Sequence, residues 1–131
     1  MPGIEFHPTK PGLAYIRADM GGAYRWNPQD QSWVPLVDWA GIPQWNDYGI
    51  ESLAIDPADP DRVYIAAGTY TNQWAGKSCM LRSADQGRTW QSTPMPFKMG
   101  GNEPGRSMGE RLAVDPNDGK ILFFGDRKSV V

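Results

Sequence analysis

The sequence has one cysteine and one histidine in 131 residues. Cys79 therefore has no partner for an internal disulfide, and a metal site built from several thiolates is excluded. No metal and no cofactor is expected. Thirteen Lys and Arg stand against fifteen Asp and Glu, for a formal net charge of -2. That balance supplies no basic field to attract phosphates, so nucleic acid is not an expected partner. No apolar stretch is long enough to span a bilayer, and no membrane partner is expected. The first residues, Met1-Pro2-Gly3-Ile4-Glu5-Phe6-His7-Pro8, lack the basic-then-apolar order of a secretion signal.

What the chain does have is 15 Gly and 12 Pro, scattered between short apolar runs and never gathered into tracts. That is the layout of many strands joined by tight turns, an all-β fold. Six Trp and five Tyr are also present. Aromatic rings fill interfaces in all-β folds, and flat exposed rings stack on the apolar faces of pyranose sugars; composition does not apportion them.

Internal similarity organises the chain. His7-Pro8 followed by Leu13-Ala14-Tyr15-Ile16 recurs as Asp56-Pro57 with Arg62-Val63-Tyr64-Ile65, then as Asp115-Pro116 with Ile121-Leu122-Phe123-Phe124. Each copy reads as strand, proline turn, strand. The first two continue alike, Tyr24-Arg25 through Trp33 aligning with Leu81-Arg82 through Trp90. The expected architecture is a β-propeller with Asp-box repeats, incomplete: one blade over about 3–38, a second over about 49–97, and the start of a third over about 109–131.

Ser83-Ala84-Asp85-Gln86-Gly87-Arg88-Thr89-Trp90 reads as an Asp-box, the hairpin between the third and fourth strands of a blade. Gly87 suits a positive φ, Asp85 with the hydroxyls of Ser83 and Thr89 suits the turn amides, and Trp90 suits an anchor in the core. Asp85 is thus expected to cap a turn, not to catalyse.

Strand alternation sorts the connections onto two ends. Thr9–Gly12, Ala58–Asp61, Asn117–Lys120 and the Asp-box are short and share one end. Asp19–Gly22, Asp38–Tyr48, Thr69–Lys77 and Lys98–Ser107 are longer and share the other, the expected working face. This end carries Trp39, Trp45, Tyr48, Tyr70 and Trp74 with Asp19, Asp38, Asp47, Glu103 and Arg106. Aromatics with carboxylates suit a carbohydrate cleft, although for each ring taken singly packing or loop anchoring comes ahead of sugar stacking. Asp19 closes its second strand ahead of Met20-Gly21-Gly22, a site for close approach of a ligand or simply a solvated turn aspartate.

Several long runs carry a more specific resemblance: Phe6-His7-Pro8-Thr9-Lys10-Pro11-Gly12-Leu13, Ala18-Asp19-Met20-Gly21-Gly22-Ala23-Tyr24-Arg25-Trp26-Asn27-Pro28, Ala66-Ala67-Gly68-Thr69-Tyr70-Thr71-Asn72, and Met108-Gly109-Glu110-Arg111-Leu112-Ala113-Val114-Asp115-Pro116. With the Asp-box they resemble the N-terminal part of the first propeller of glycoside hydrolase family 74, the xyloglucanases and oligoxyloglucan reducing-end-specific enzymes. The resemblance implies two tandem seven-bladed propellers, secretion, and an inverting endo-β-1,4-glucanase acting on xyloglucan. It implies that Asp19 is the general base, that the general acid lies outside these residues, and that Trp39, Trp45, Tyr70, Trp74 and Arg106 bind substrate. Inverting hydrolysis needs two carboxylates roughly 6.5 to 9.5 Å apart, so this chain alone is expected to be inactive without the rest of the propellers. The run Asp126-Arg127-Lys128-Ser129-Val130-Val131 departs from the family pattern. The competing reading is a non-catalytic Asp-box propeller that binds a glycan or a protein. A sialidase would need clustered arginines, and only Arg106 is well placed.

Overall fold

Tyrosine, valine and isoleucine in runs of four to seven residues, each closed by Pro, Gly or Asp, favour short strands over helices. The computed structural model describes residues 3–103 and 109–125. Its first sheet holds β1 (Gly3–Phe6), β2 (Ala14–Arg17), β3 (Ala23–Asn27) and β4 (Ser32–Pro35). The second holds β5 (Ile50–Ile55), β6 (Val63–Ala67), β7 (Cys79–Ser83) and β8 (Gln91–Pro94). β9 (Leu112–Asp115) and β10 (Asp118–Phe124) pair as a third. Within each sheet the strands follow chain order and every pairing is antiparallel. β5 packs against β1, β2 and β9, so the leading strands of the three sheets gather along one line. Meandering sheets stacked in this way form a partial β-propeller.

The inner strands β5 and β6 of the second sheet are buried on both faces, whereas its last strand, β8, is exposed. One face joins Leu13, Tyr15, Ala23, Leu36 and Val37 of the first sheet's segment to Ile50, Leu53, Val63, Ile65 and Leu81. The other joins Ala54, Tyr64, Ala66 and Met99 to Leu112, Val114, Leu122 and Phe124. Faces with no described sheet against them stay open: Ile4, Phe6 and Trp33 on the first sheet, Ile121 and Phe123 on the third.

The repeated residue before proline has one task in all three copies. His7 Nδ1 accepts from the amides of Thr9 (3.2 Å) and Lys10 (3.0 Å), while Nε2 donates to Asp56 O at 3.0 Å. Asp56 Oδ1 accepts from Ala58 N at 2.9 Å, and Asp115 Oδ1 from Asn117 N at 2.8 Å. An imidazole nitrogen and a carboxylate oxygen are both short-range acceptors, so either closes the same turn.

The alignment of Trp33 with Trp90 does not extend to their surroundings. In the first sheet Asn27 pairs directly with Ser32, and Trp33 lies within β4, 39% exposed, against Trp26 with ring centroids 5.1 Å apart. In the second, Arg82 pairs with Gln91 and the intervening residues form the Asp-box, whose Trp90 packs on the core. The serine, aspartate and glycine of the box are Trp26, Pro28 and Asp30 in the first copy, so the wide turn cannot form there.

Three sheets are also tied by a polar network running from the end of β2 through β5 to the residues before β9. Arg17, 1% exposed, donates from Nε to Glu110 Oε1 at 2.6 Å, from Nη1 to Ile50 O at 3.3 Å and from Nη2 to Gly109 O at 3.0 Å. Glu110 Oε2 accepts from Ser52 Oγ at 2.5 Å and Leu53 N at 2.9 Å. Ser52 Oγ in turn accepts from the amides of Arg111 (2.8 Å) and Leu112 (3.0 Å). Beside it, burial and then the Glu110 carboxylate push the Glu5 carboxyl up, against the pull of Arg17.

Candidate functional site

The two ends of the sheets differ in chemistry. At one, Ser83 Oγ donates to Asp85 Oδ1 (2.7 Å) and accepts from Gly87 N (2.8 Å). Thr89 donates to Asp85 from its amide (2.9 Å) and its hydroxyl (2.5 Å). Gly87 has φ of 83°, and a Cβ there would come within 2.7 Å of Leu36 Cδ2, so only glycine serves both the turn and the packing between sheets. Gln86 N donates to Asp61 O at 2.9 Å, joining the Asp-box to the β5–β6 turn. Asp85 thus spends its carboxylate on its own hairpin.

Those donors serve the ionised form, and they hold the Asp85 carboxyl down to about 2 from 3.8, with the Thr89 hydroxyl the largest cause. Because the folded value lies below the unfolded one, the stability this group contributes is complete above the unfolded value and is lost as pH falls from about 4 to about 2. An Asp85→Asn variant should lose that slice of the acid dependence. Urea midpoints at pH 5 and pH 2.5 check this: the gap between the two should narrow in the variant.

At the opposite end, hydrogen bonds string the connections together. Gly22 N donates to Tyr48 O (2.9 Å), Gly68 N to Gly49 O (2.7 Å) and Gly101 N to Gly68 O (2.8 Å). Asp19 sits here, exposed, in a turn closed by Ala18 N donating to Gly22 O at 2.8 Å. Gly22 answers to the fold: its φ is 81°, and a Cβ would run into Val37. Gly22 therefore shapes the turn that presents Asp19.

Trp45, Tyr70 and Trp74 come together from two separate connections. Trp45 and Trp74 have centroids 5.9 Å apart with planes at 21°, and Tyr70 lies 5.3 Å from Trp74 and 6.4 Å from Trp45. Trp74 is 64% exposed. Trp39 is exposed too, with its indole N–H donated to Leu36 O at 2.9 Å, and it touches no other ring among the described residues. Arg106 and Asp126 lie outside the described residues.

The carboxylates on this end divide. Asp47 is turned inward, where it accepts from Cys79 Sγ at 3.4 Å and burial raises its carboxyl. Burial likewise pushes the Cys79 thiol up to about 12, which leaves it inert. Glu103 Oε1 accepts from Thr71 N (2.6 Å) and Thr71 Oγ1 (2.5 Å), so it serves a loop. Asp19 and Asp38 remain exposed. Tyr48 is half-buried and donates its hydroxyl to Ala40 O. Asn46, Lys98 and Asn102, which sequence patterns did not flag, turn out to hold the loops: Asn46 accepts from Thr69, Asn102 donates to the Tyr70 hydroxyl oxygen at 2.6 Å, and Lys98 donates to backbone carbonyls.

A hollow of about 490 Å³ lies elsewhere. Arg62, Tyr64, Met80, Arg82 and Leu122 line it, between β6–β7 and the two-stranded sheet. It is a wedge between sheets.

No family profile matches the chain. A xyloglucanase from Paenibacillus sp is 59% identical over 128 residues, covering 97% of this chain and 12% of its own length. A xyloglucanase of Hypocrea jecorina is 50% identical over 131 residues, with 15% of its length covered. Among solved structures, the GH74 xyloglucanase of Xanthomonas campestris superposes with a TM-score of 0.94 at 54% identity, over 96% of this chain and 18% of that one. Over nearly its whole length the chain matches glycoside hydrolase family 74 enzymes. A second GH74 enzyme, from Niastella koreensis, superposes with a TM-score of 0.88 at 43% identity. The chain spans only 12 to 15% of the length of the curated relatives it matches. The partial propeller is thus the GH74 propeller fold, seen over two sheets and part of a third.

Proposed function

We propose that this GH74 chain supplies the general-base side of an inverting cleft that cleaves the β-1,4-glucan backbone of xyloglucan. The observation that carries the reading is the joint presentation, on one end of the sheets, of an exposed Asp19 and of exposed indoles at Trp39, Trp45 and Trp74. Asp19 would take the proton of the attacking water, which requires a carboxylate that is ionised and not already claimed by backbone amides. Asp85, with three donors on it, is already claimed by its own hairpin, whereas Asp19 is exposed. Asp47 and Glu103 are likewise committed to protein partners.

The indoles and Tyr70 would receive pyranose faces, and Arg106 would join them. The acid that protonates the leaving oxygen would come from outside these 131 residues. The relatives' names supply the substrate: each is called a xyloglucanase or an oligoxyloglucan-reducing end-specific xyloglucanase. Secretion belongs to the same proposal, since the polysaccharide is too large to enter a cell.

The test is reducing-sugar release by the complete protein carrying this segment, on tamarind-type xyloglucan and on unsubstituted soluble cellulose. Turnover of the first well above the second is expected. Binding of xyloglucan without release of reducing ends would instead select the non-catalytic module.

A further inference from the structure

The connection from Thr69 to Lys77 carries Tyr70 and Trp74 yet contains no regular structure. A loop of this length has little within itself to keep two rings in place: one internal backbone bond, Ala75 N to Asn72 O at 3.1 Å, spans its tip. Lys98, in the connection after β8, reaches across and places its ammonium among three of the tip's carbonyls. Nζ lies 2.6 Å from Asn72 O, 3.2 Å from Gln73 O and 2.5 Å from Ala75 O. An ammonium has three N–H donors, and here all three are used on residues that flank Trp74.

The base of the loop is held differently. Asn46 accepts from Thr69 N at 2.9 Å, Glu103 accepts from Thr71, and Asn102 donates from Nδ2 to the Tyr70 hydroxyl oxygen. None of these reaches residues 72–75. Trp74 is largely exposed, so packing alone does not fix its ring.

We infer that Lys98 is a positioning residue for the Trp45, Tyr70 and Trp74 platform, holding the loop tip in its sugar-receiving shape before substrate arrives. The inference rests on the proposal that this platform binds the glucan. Its physical content is preorganisation: a tip already ordered does not have to be ordered by the ligand. Lys98 touches neither the reacting bond nor the sugar, so its effect falls on affinity and not on the chemical step.

The experiment uses the complete protein carrying this segment, with Lys98→Met, Trp74→Ala and the double variant, assayed on polymeric xyloglucan. Methionine keeps the apolar stem and removes the donors. Lys98→Met should raise KM about 10-fold with kcat within about 2-fold, because ordering one or two side chains on binding costs about that much affinity. The double variant should match Trp74→Ala alone, since Lys98 acts through that loop. An unchanged KM in Lys98→Met beside a raised one in Trp74→Ala would overturn the inference and leave the platform standing. Unchanged KM in Trp74→Ala would remove the platform and the inference with it. Additive effects in the double variant, or a fall in kcat parallel to a fall in melting temperature, would assign Lys98 to the fold at large and sink the idea.

Discussion

Asp19→Asn in the complete protein carrying this segment should lower kcat by about 100- to 10,000-fold and leave xyloglucan affinity nearly unchanged. Asparagine keeps the size of the side chain and its hydrogen-bonding reach, but it cannot take a proton from water. The turn should tolerate the change, because its closing bond runs from Ala18 N to Gly22 O and does not use the Asp19 side chain. Loss of a stacking ring would act on KM, so the two kinds of residue separate by which constant moves. Single-turnover hydrolysis and equilibrium binding, measured side by side, provide the check. A variant with near-normal turnover would strip Asp19 of the base role, and a parallel loss of turnover and binding would make it a structural residue.

Glu110→Ala should destabilise the chain strongly, by about 3 kcal/mol. The Arg17 guanidinium is 1% exposed and keeps its charge when the carboxylate goes, while Ser52 Oγ and Leu53 N lose their acceptor. Partial exposure of the Glu110 side chain, 21%, argues for the lower part of the range known for buried pairs. Denaturant unfolding of the protein and the variant gives the number. The double variant Arg17→Met with Glu110→Leu should recover much of the loss, because it removes both charges and not one of them. A loss under 1 kcal/mol in Glu110→Ala would mean that the Arg17–Glu110 pair does little to hold the sheets together. Arg17 also stands two residues ahead of Asp19, so the same pair sets where the candidate base emerges relative to the second and third sheets.

Much of this arrangement was legible from residue order. The β2 and β6 runs, Ala14–Arg17 and Val63–Ala67, lie in the first two repeats, and the Asp-box spelled out its own hydrogen bonds because serine, aspartate and threonine act on amides a few residues away. Assigning Asp85 to a turn needed nothing beyond that spacing. The carboxylates of the other end were not separable in the same way. Asp47 and Glu103 read alike in sequence, yet one faces Cys79 and the other Thr71, while Asp19, set apart by the Met20-Gly21-Gly22 that follows it, faces solvent. Their partners lie far along the chain and leave no local pattern.

The sequence by itself determined the strands, their turns, the antiparallel order within each sheet and the sorting of connections onto two ends, because backbone dihedrals, short-range capping and strand alternation act over a few residues. Only the tertiary structure decided which side chains meet across sheets: Arg17 with Glu110, Lys98 with the carbonyls around Trp74, and Trp45 with Trp74 from separate connections. Such pairings depend on how one twisted sheet stacks on the next. That stacking is set by the summed burial of two apolar faces, and no single residue records it.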